Sequence, residues 1–126
     1  MRFNNDRPIF VQIADHLTRE IIAGHLAPEE RLASARELGA SLEVNPNTAA
    51  RALQSLADAG VARCERGTGY FVAANGPDLA RASMRAHFFE TELPRLFTTM
   101  EELGIPPEEL SPRYENWKKK IATGDE

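Results

Sequence analysis

Cysteine is nearly missing from this sequence. Cys64 stands alone, so no internal disulfide can form and the fold rests on packing, which fits a reducing cytoplasm. Long apolar runs are missing too: none approaches the ~20 residues of a membrane span. The opening MRFNNDRPIF holds no apolar stretch of secretory-leader length. Neither export nor a membrane is expected. Histidine is scattered, with His16, His25 and His87 at no metal-ligand spacing. There is no Walker loop, dinucleotide fingerprint or nucleophile elbow. Glu101/Glu102 and Glu108/Glu109 read as solvated helix faces, and the lysines at 118–120 as a patch too short to hold a membrane. No enzymatic activity, metal or cofactor is expected.

A basic excess is also lacking, since the net charge is −4. It is unevenly spread: residues 1–75 carry 8 Lys+Arg against 9 Asp+Glu, and residues 76–126 carry 7 against 10. A nucleic-acid reader needs a local positive face rather than a basic whole, so composition neither requires nor excludes one. With 126 residues, 42% hydrophobic and 27% charged, the chain has the makeup of one small globular protein.

Periodicity supplies what composition does not. Ile9, Ile13, Leu17 and Ile21 recur every four residues, with Phe10 and Ala14 beside them, predicting an amphipathic helix over roughly 8–23. Pro8 suits its first turn and Gly24 its C-terminal cap. After a short connection, HLAPEERLA, Ser34 and Glu37 form a capping-box pattern that opens a helix to about Leu42. Leu38 and Leu42 are its apolar residues, with Ala35 and Ala40 as small fillers. Glu43 and Val44 make a turn. Asn45 then caps a third helix with Pro46 at its first position; Ala49, Ala52, Leu53, Leu56 and Ala57 form its buried face, and Gly60 ends it. VARCERGTGYFVA places two β-prone arms around a glycine-bearing tip, predicting a hairpin. Helices followed by such a hairpin describe a winged helix-turn-helix, so the expected fold is mainly α with a small β-hairpin.

AANGP, residues 73–77, reads as a linker. Beyond it Leu79, Met84, Phe88, Phe89, Leu93, Leu96, Phe97, Met100 and Leu103 trace a helical apolar stripe, which Pro94 should kink or split. Ser111 and Pro112 are placed to start a last helix through RYENWKKKI. The domains expected are 1–75, a winged helix-turn-helix, and 76–126, a helical dimerisation segment.

From Pro8 to Ala73, in order and spacing, the sequence resembles the GntR family of bacterial winged-helix transcription regulators, and the VNPNT phrasing with a short tail is most similar to its YtrA-type branch. Ala33 stands where the family usually has proline, Glu30 where it often has glycine, and Ala50 where many members place arginine. The resemblance implies a sequence-specific DNA-binding regulator, and for this branch often one controlling transporter operons. It also implies that Arg36 meets the DNA backbone at the groove edge.

The expected DNA-facing set is Ser34, Arg36, Asn45, Pro46, Asn47, Thr48, Arg51, Arg66, Gly67, Thr68 and Gly69. Asn47 has the donor–acceptor pair that reads adenine, and Thr48 suits a polar edge or a thymine methyl. Arg51 is placed for a base edge or a phosphate. The start of the third helix offers its amides to a phosphate, and the RGTG tip is slim enough for a minor groove. Ser34, Asn45 and Pro46 are equally explained by capping alone. For the apolar stripe, Phe88, Phe89, Leu93, Leu96, Phe97 and Met100 are expected to form a homodimer interface, because one winged helix covers only a half-site. Packing of the stripe on its own domain is the competing reading. A palindrome-binding repressor is the expected function; the alternative is a winged-helix protein-interaction module. A small-molecule effector is left open, since roughly fifty residues hardly enclose a cavity.

Overall fold

The computed structural model describes residues 1–124. The chain divides into two compact units, Met1–Arg85 and Ala86–Glu126. The architecture is mainly α with one small β-hairpin, as the periodicity predicts.

In the first unit, α1 (Ile9–Ala23), α2 (Ala35–Leu42) and α3 (Pro46–Asp58) precede the antiparallel strands β1 (Ala62–Glu65) and β2 (Gly69–Val72); α4 (Gly76–His87) follows, its last two residues counted in the second unit. Pro8 sits just outside α1 rather than in its first turn, and its carbonyl accepts from Val11 and Gln12. Gly24 closes α1 in the left-handed conformation. Ile13, Leu17 and Ile21 of α1 are buried together with Leu38 of α2, Ala49, Ala52, Leu53 and Leu56 of α3, and Val61, Ala62 and Val72 around the hairpin. Small alanines on α3 let it lie close to α1 and α2, which is how interiors reach crystal-like density. Buried Gln12 ties the N-terminal arm to α1: its amide donates to the carbonyls of Asn4 and Arg7 at 2.9 and 2.8 Å, and its oxygen accepts from Asn4 at 3.1 Å.

Three expectations need correction here. The connection after α1 is more than a link. Glu29 N–H donates to the Val72 carbonyl (2.8 Å), Val72 N–H to Glu30 (2.9 Å) and Leu32 N–H to Tyr70 (2.8 Å), so residues 29–32 cover the outer edge of β2 and satisfy groups a bare strand would expose. Nor is AANGP a loose spacer. Ala73 N–H donates to Val61, Gly76 is buried, and a Cβ at Gly76 would stand 2.5 Å from the Val61 carbonyl oxygen. The segment is a tight turn that runs straight into α4. On α2, Gly39 rather than Ala40 is the buried small residue.

In the second unit a π-helical turn (Phe88–Glu92) leads into α5 (Leu93–Leu103), then a 3-10 turn (Pro107–Glu109) and α6 (Leu110–Thr123). Pro94 has no N–H for the usual bond to the carbonyl four residues back. The chain answers with a wider turn just before it, Leu93 N–H donating to Phe88 five residues back, and helix continues on the far side. Ser111 does not start α6. The helix begins one residue earlier, led in by the 3-10 turn, and Ser111 lies inside its first turn. Phe88, Phe89, Leu96 and Phe97 are exposed, Leu93 is half-buried, and Met100 at 5% exposure is already buried within the single chain, leaving it little surface for a partner.

Candidate nucleic-acid interface

The helix pair α2–α3 is built from local chemistry. Ser34 N–H donates to Glu37 Oε1 at 2.9 Å and Glu37 N–H to Ser34 Oγ at 3.1 Å, the reciprocal capping box. The Ser34 backbone bond, helped by its hydroxyl and by Arg31, holds the Glu37 carboxyl below its ordinary range. Ser34 Oγ therefore accepts within the protein, while its O–H remains a donor. The amides of Ala35 and Arg36 point out of the first turn with no partner among the described residues, and the Arg36 side chain is exposed and carries no ion pair among them. Glu43 closes α2 in the left-handed conformation (φ 57°), and Val44 N–H returns to the Gly39 carbonyl at 2.9 Å. Gly39 makes this turn possible, because a Cβ there would meet the Val44 oxygen at 2.9 Å and the Pro46 Cα at 3.3 Å. Its signal in the sequence was a glycine inside a helix, where alanine is favoured by about 1 kcal/mol unless packing needs the space.

Asn45 caps α3, its Oδ1 accepting from Asn47 N–H at 2.8 Å while its carbonyl accepts from Thr48 and Ala49 at 2.9 and 3.2 Å. Pro46 at the first position has no N–H to offer. The leading amides of α3 are thus all engaged, so the expected phosphate site at this helix start is not available; the open amides belong to α2. At about 100° per residue, Asn47, Arg51, Gln54 and Asp58 share the face opposite buried Ala49, Ala52, Leu53 and Leu56. The Asn47 side chain is exposed and has no hydrogen-bond partner among the described residues. Thr48 and Ala50 are half-buried at its flanks. Arg51 does not stand free: its guanidinium carbon lies 4.1 Å from the centroid of the Phe10 ring.

The hairpin pairs Ala62 with Val72 and Glu65 with Gly69, leaving Arg66, Gly67 and Thr68 as its exposed turn. Thr68 N–H donates to the Glu65 carbonyl at 3.0 Å, and Gly67 (φ 78°) and Gly69 (φ 128°) adopt backbone that side chains rarely reach. On the outer face, Arg63 pairs with Glu29 and Glu65 and lies over the Phe71 ring. Arg31 reaches from α2's entrance to the turn, donating to the Thr68 carbonyl at 3.3 Å and facing Glu37 at 3.6 Å. On the inner face Tyr70 O–H donates to Gln54 Oε1 at 2.9 Å, and Gln54 Nε2 donates to Asp58 at 2.9 Å. Arg31, Tyr70 and Gln54 escaped the sequence reading; for Tyr70 the signal was its alternation with Val72 on one strand face.

Charge is distributed to match. Glu29 and Glu65 share Arg63 as partner, and Glu37 faces Arg31. Arg36 and Arg66 have no carboxylate partner among the described residues. A unit close to neutral thereby keeps free cations beside α2 and at the hairpin tip. Among the described residues no set of His, Cys, Asp and Glu could hold a metal ion, and no helix is long and apolar enough to cross a membrane.

Known proteins share this fold. The family model described as bacterial regulatory proteins, gntR family, matches residues 10–72. The chain is similar to the HTH-type transcriptional regulator YhcF of Bacillus subtilis (strain 168), 29% identical over 109 residues, covering 86% of this chain and 88% of that protein. It is similar to the HTH-type transcriptional repressor YtrA of the same organism, 27% identical over 110 residues, covering 77% and 85% respectively. Among solved structures, a GntR family transcriptional regulator from Listeria monocytogenes superposes with a TM-score of 0.74 at 29% identity, covering 94% of this chain and 98% of that one. With helix pair, hairpin and sequence in agreement, the chain belongs to the GntR family and is a DNA-binding transcription regulator.

Proposed function

We propose that the protein is a cytoplasmic homodimeric repressor that occupies a palindromic operator and so excludes other proteins from the promoter. The observation that carries this reading is the open Asn47 side chain on the leading turn of α3, flanked by unpaired Arg36 and by a glycine-tipped hairpin bearing Arg66. Asn47 reads one base pair from the major groove, where its amide can bond adenine twice. Arg36, with the free amides of Ala35 and Arg36 at the start of α2, grips a phosphate. Arg66 and the slim tip reach the neighbouring groove. Ser34 and Asn45 shape these turns through their caps and keep the Ser34 O–H and the Asn45 Nδ2 amide as donors toward DNA, while Pro46 starts α3.

Two half-sites are read when two copies join. Phe88, Phe89, Leu96 and Phe97 are large apolar side chains left exposed in the single chain, and the second unit is the proposed dimerisation segment. Similarity to a repressor supports the sign of regulation. Selection of bound duplexes from a random pool tests the proposal: enrichment of an inverted repeat is expected. Recovery of no shared sequence, or of single half-sites bound equally well, would contradict it.

A further inference from the structure

We propose that Tyr70, acting through Gln54, is a positioning residue that fixes the hairpin against the DNA-reading face of α3. The inference rests on the DNA-binding reading and adds to it a residue that need touch no nucleotide.

Three observations lead there. First, the hairpin is short, with four-residue strands, and its turn of Arg66, Gly67 and Thr68 is exposed. Arg31 holds the turn from the outer side, and on the inner side the hairpin's aim rests on ties closer to its base. Second, Gln54 lies on the same face of α3 as Asn47, one position where an amide would ordinarily be free to read a base. Both ends of that amide are committed within the protein, Oε1 to Tyr70 and Nε2 to Asp58, each at 2.9 Å. A glutamine so engaged is withdrawn from base reading and works as a strut between helix and strand. Third, an exposed bond of this kind adds little to folding stability, because water replaces either partner readily. Its value lies in geometry, where an effector held in place binds without first being ordered. Burial, and after it the facing Cys64 thiol, raises the Tyr70 phenol above its ordinary pKa, so the hydroxyl keeps the proton it donates.

The test uses the full chain and the duplex obtained by selection. Tyr70→Phe removes only the hydroxyl. It is expected to weaken operator binding about two- to threefold, the low end of the worth of one hydrogen bond, with a melting temperature close to wild type. Gln54→Ala should match it, and the double variant should be no worse than either alone. Arg66→Ala should cost less in the Tyr70→Phe background than in wild type, a coupling that loss of stability alone does not produce. Wild-type affinity in Tyr70→Phe, or penalties of Tyr70→Phe and Arg66→Ala that simply multiply, would overturn the inference while leaving the DNA-binding reading intact. A wild-type chain that binds no DNA would overturn both.

Discussion

Phe10 of α1 and Arg51 of α3 are stacked, the guanidinium carbon 4.1 Å from the ring centroid. A ring beneath the guanidinium restrains it while leaving N–H groups free to donate, which supports the proposal that Arg51 meets a phosphate. Phe10→Leu keeps an apolar side chain but deletes the ring. It should weaken operator binding by up to about fivefold, on the order of the ~0.5–1 kcal/mol of an exposed cation–π contact. Arg51→Ala should weaken it further and lower the slope of log affinity against log salt by about one unit. Binding titrations across a salt series decide; full affinity in both variants would show that Arg51 merely braces α3 against α1.

Gly39 sets the distance between the two helices of the reading motif. Gly39→Ala places a Cβ 2.9 Å from the backbone oxygen of Val44, and a main chain cannot step aside as a long side chain can. A loss of about 1–3 kcal/mol is expected, in the range of overpacked sites. Urea melts measure it. A variant as stable as wild type would mean that the turn has room the geometry denies.

Glu37 gives the first unit a pH dependence of known sign. Its carboxyl is held low chiefly by the Ser34 backbone bond, so the unfolded chain binds this proton more tightly than the folded one. The resulting stability is present above the unfolded carboxylate value, about 4.3, and is lost as pH falls through the lower folded value. Glu37→Gln keeps the capping geometry and removes the charge. Wild type should exceed it in stability near neutrality, and the gap should close in acid. A gap that persists at pH 2 would locate the effect elsewhere.

Much of this molecule was legible in its sequence, and the legible part is local. Caps at Ser34 and Asn45, the glycine ending α1 and the spacing of Ile13, Leu17 and Ile21 each depend on neighbours within a turn or two. What the sequence concealed depends on partners far along the chain. Residues 29–32 pair with β2 some forty positions later, and Arg31 reaches Thr68 across the same gap. The π turn ahead of Pro94 was hidden differently: proline signals a disturbance, but not whether the helix breaks or widens. At the candidate site, the exposure of Asn47 on the first turn of α3 was legible, whereas the partners of its neighbours were not. Asn47 is open, Arg51 is stacked, and the amides of α3 are spent on its own cap.

The exposed stripe of the second unit carries its own expectation. Phe97 is 51% exposed and Phe89 likewise 51%, a cost in water that the proposed second copy would relieve. Sedimentation at micromolar concentration should give twice the mass of one chain, and Phe97→Glu should shift the population toward monomer. A monomeric wild type would remove the basis for reading two half-sites together.

The most direct test compares Asn47→Ala with Arg36→Ala on two duplexes, the selected operator and a scrambled sequence of equal length. Asn47→Ala should lose about 1–3 kcal/mol on the operator alone, with the loss confined to one base pair per half-site. Arg36→Ala should weaken both duplexes alike and flatten the salt dependence by about one unit. Equal weakening of operator and scrambled DNA by Asn47→Ala would contradict the claim that the first turn of α3 reads sequence.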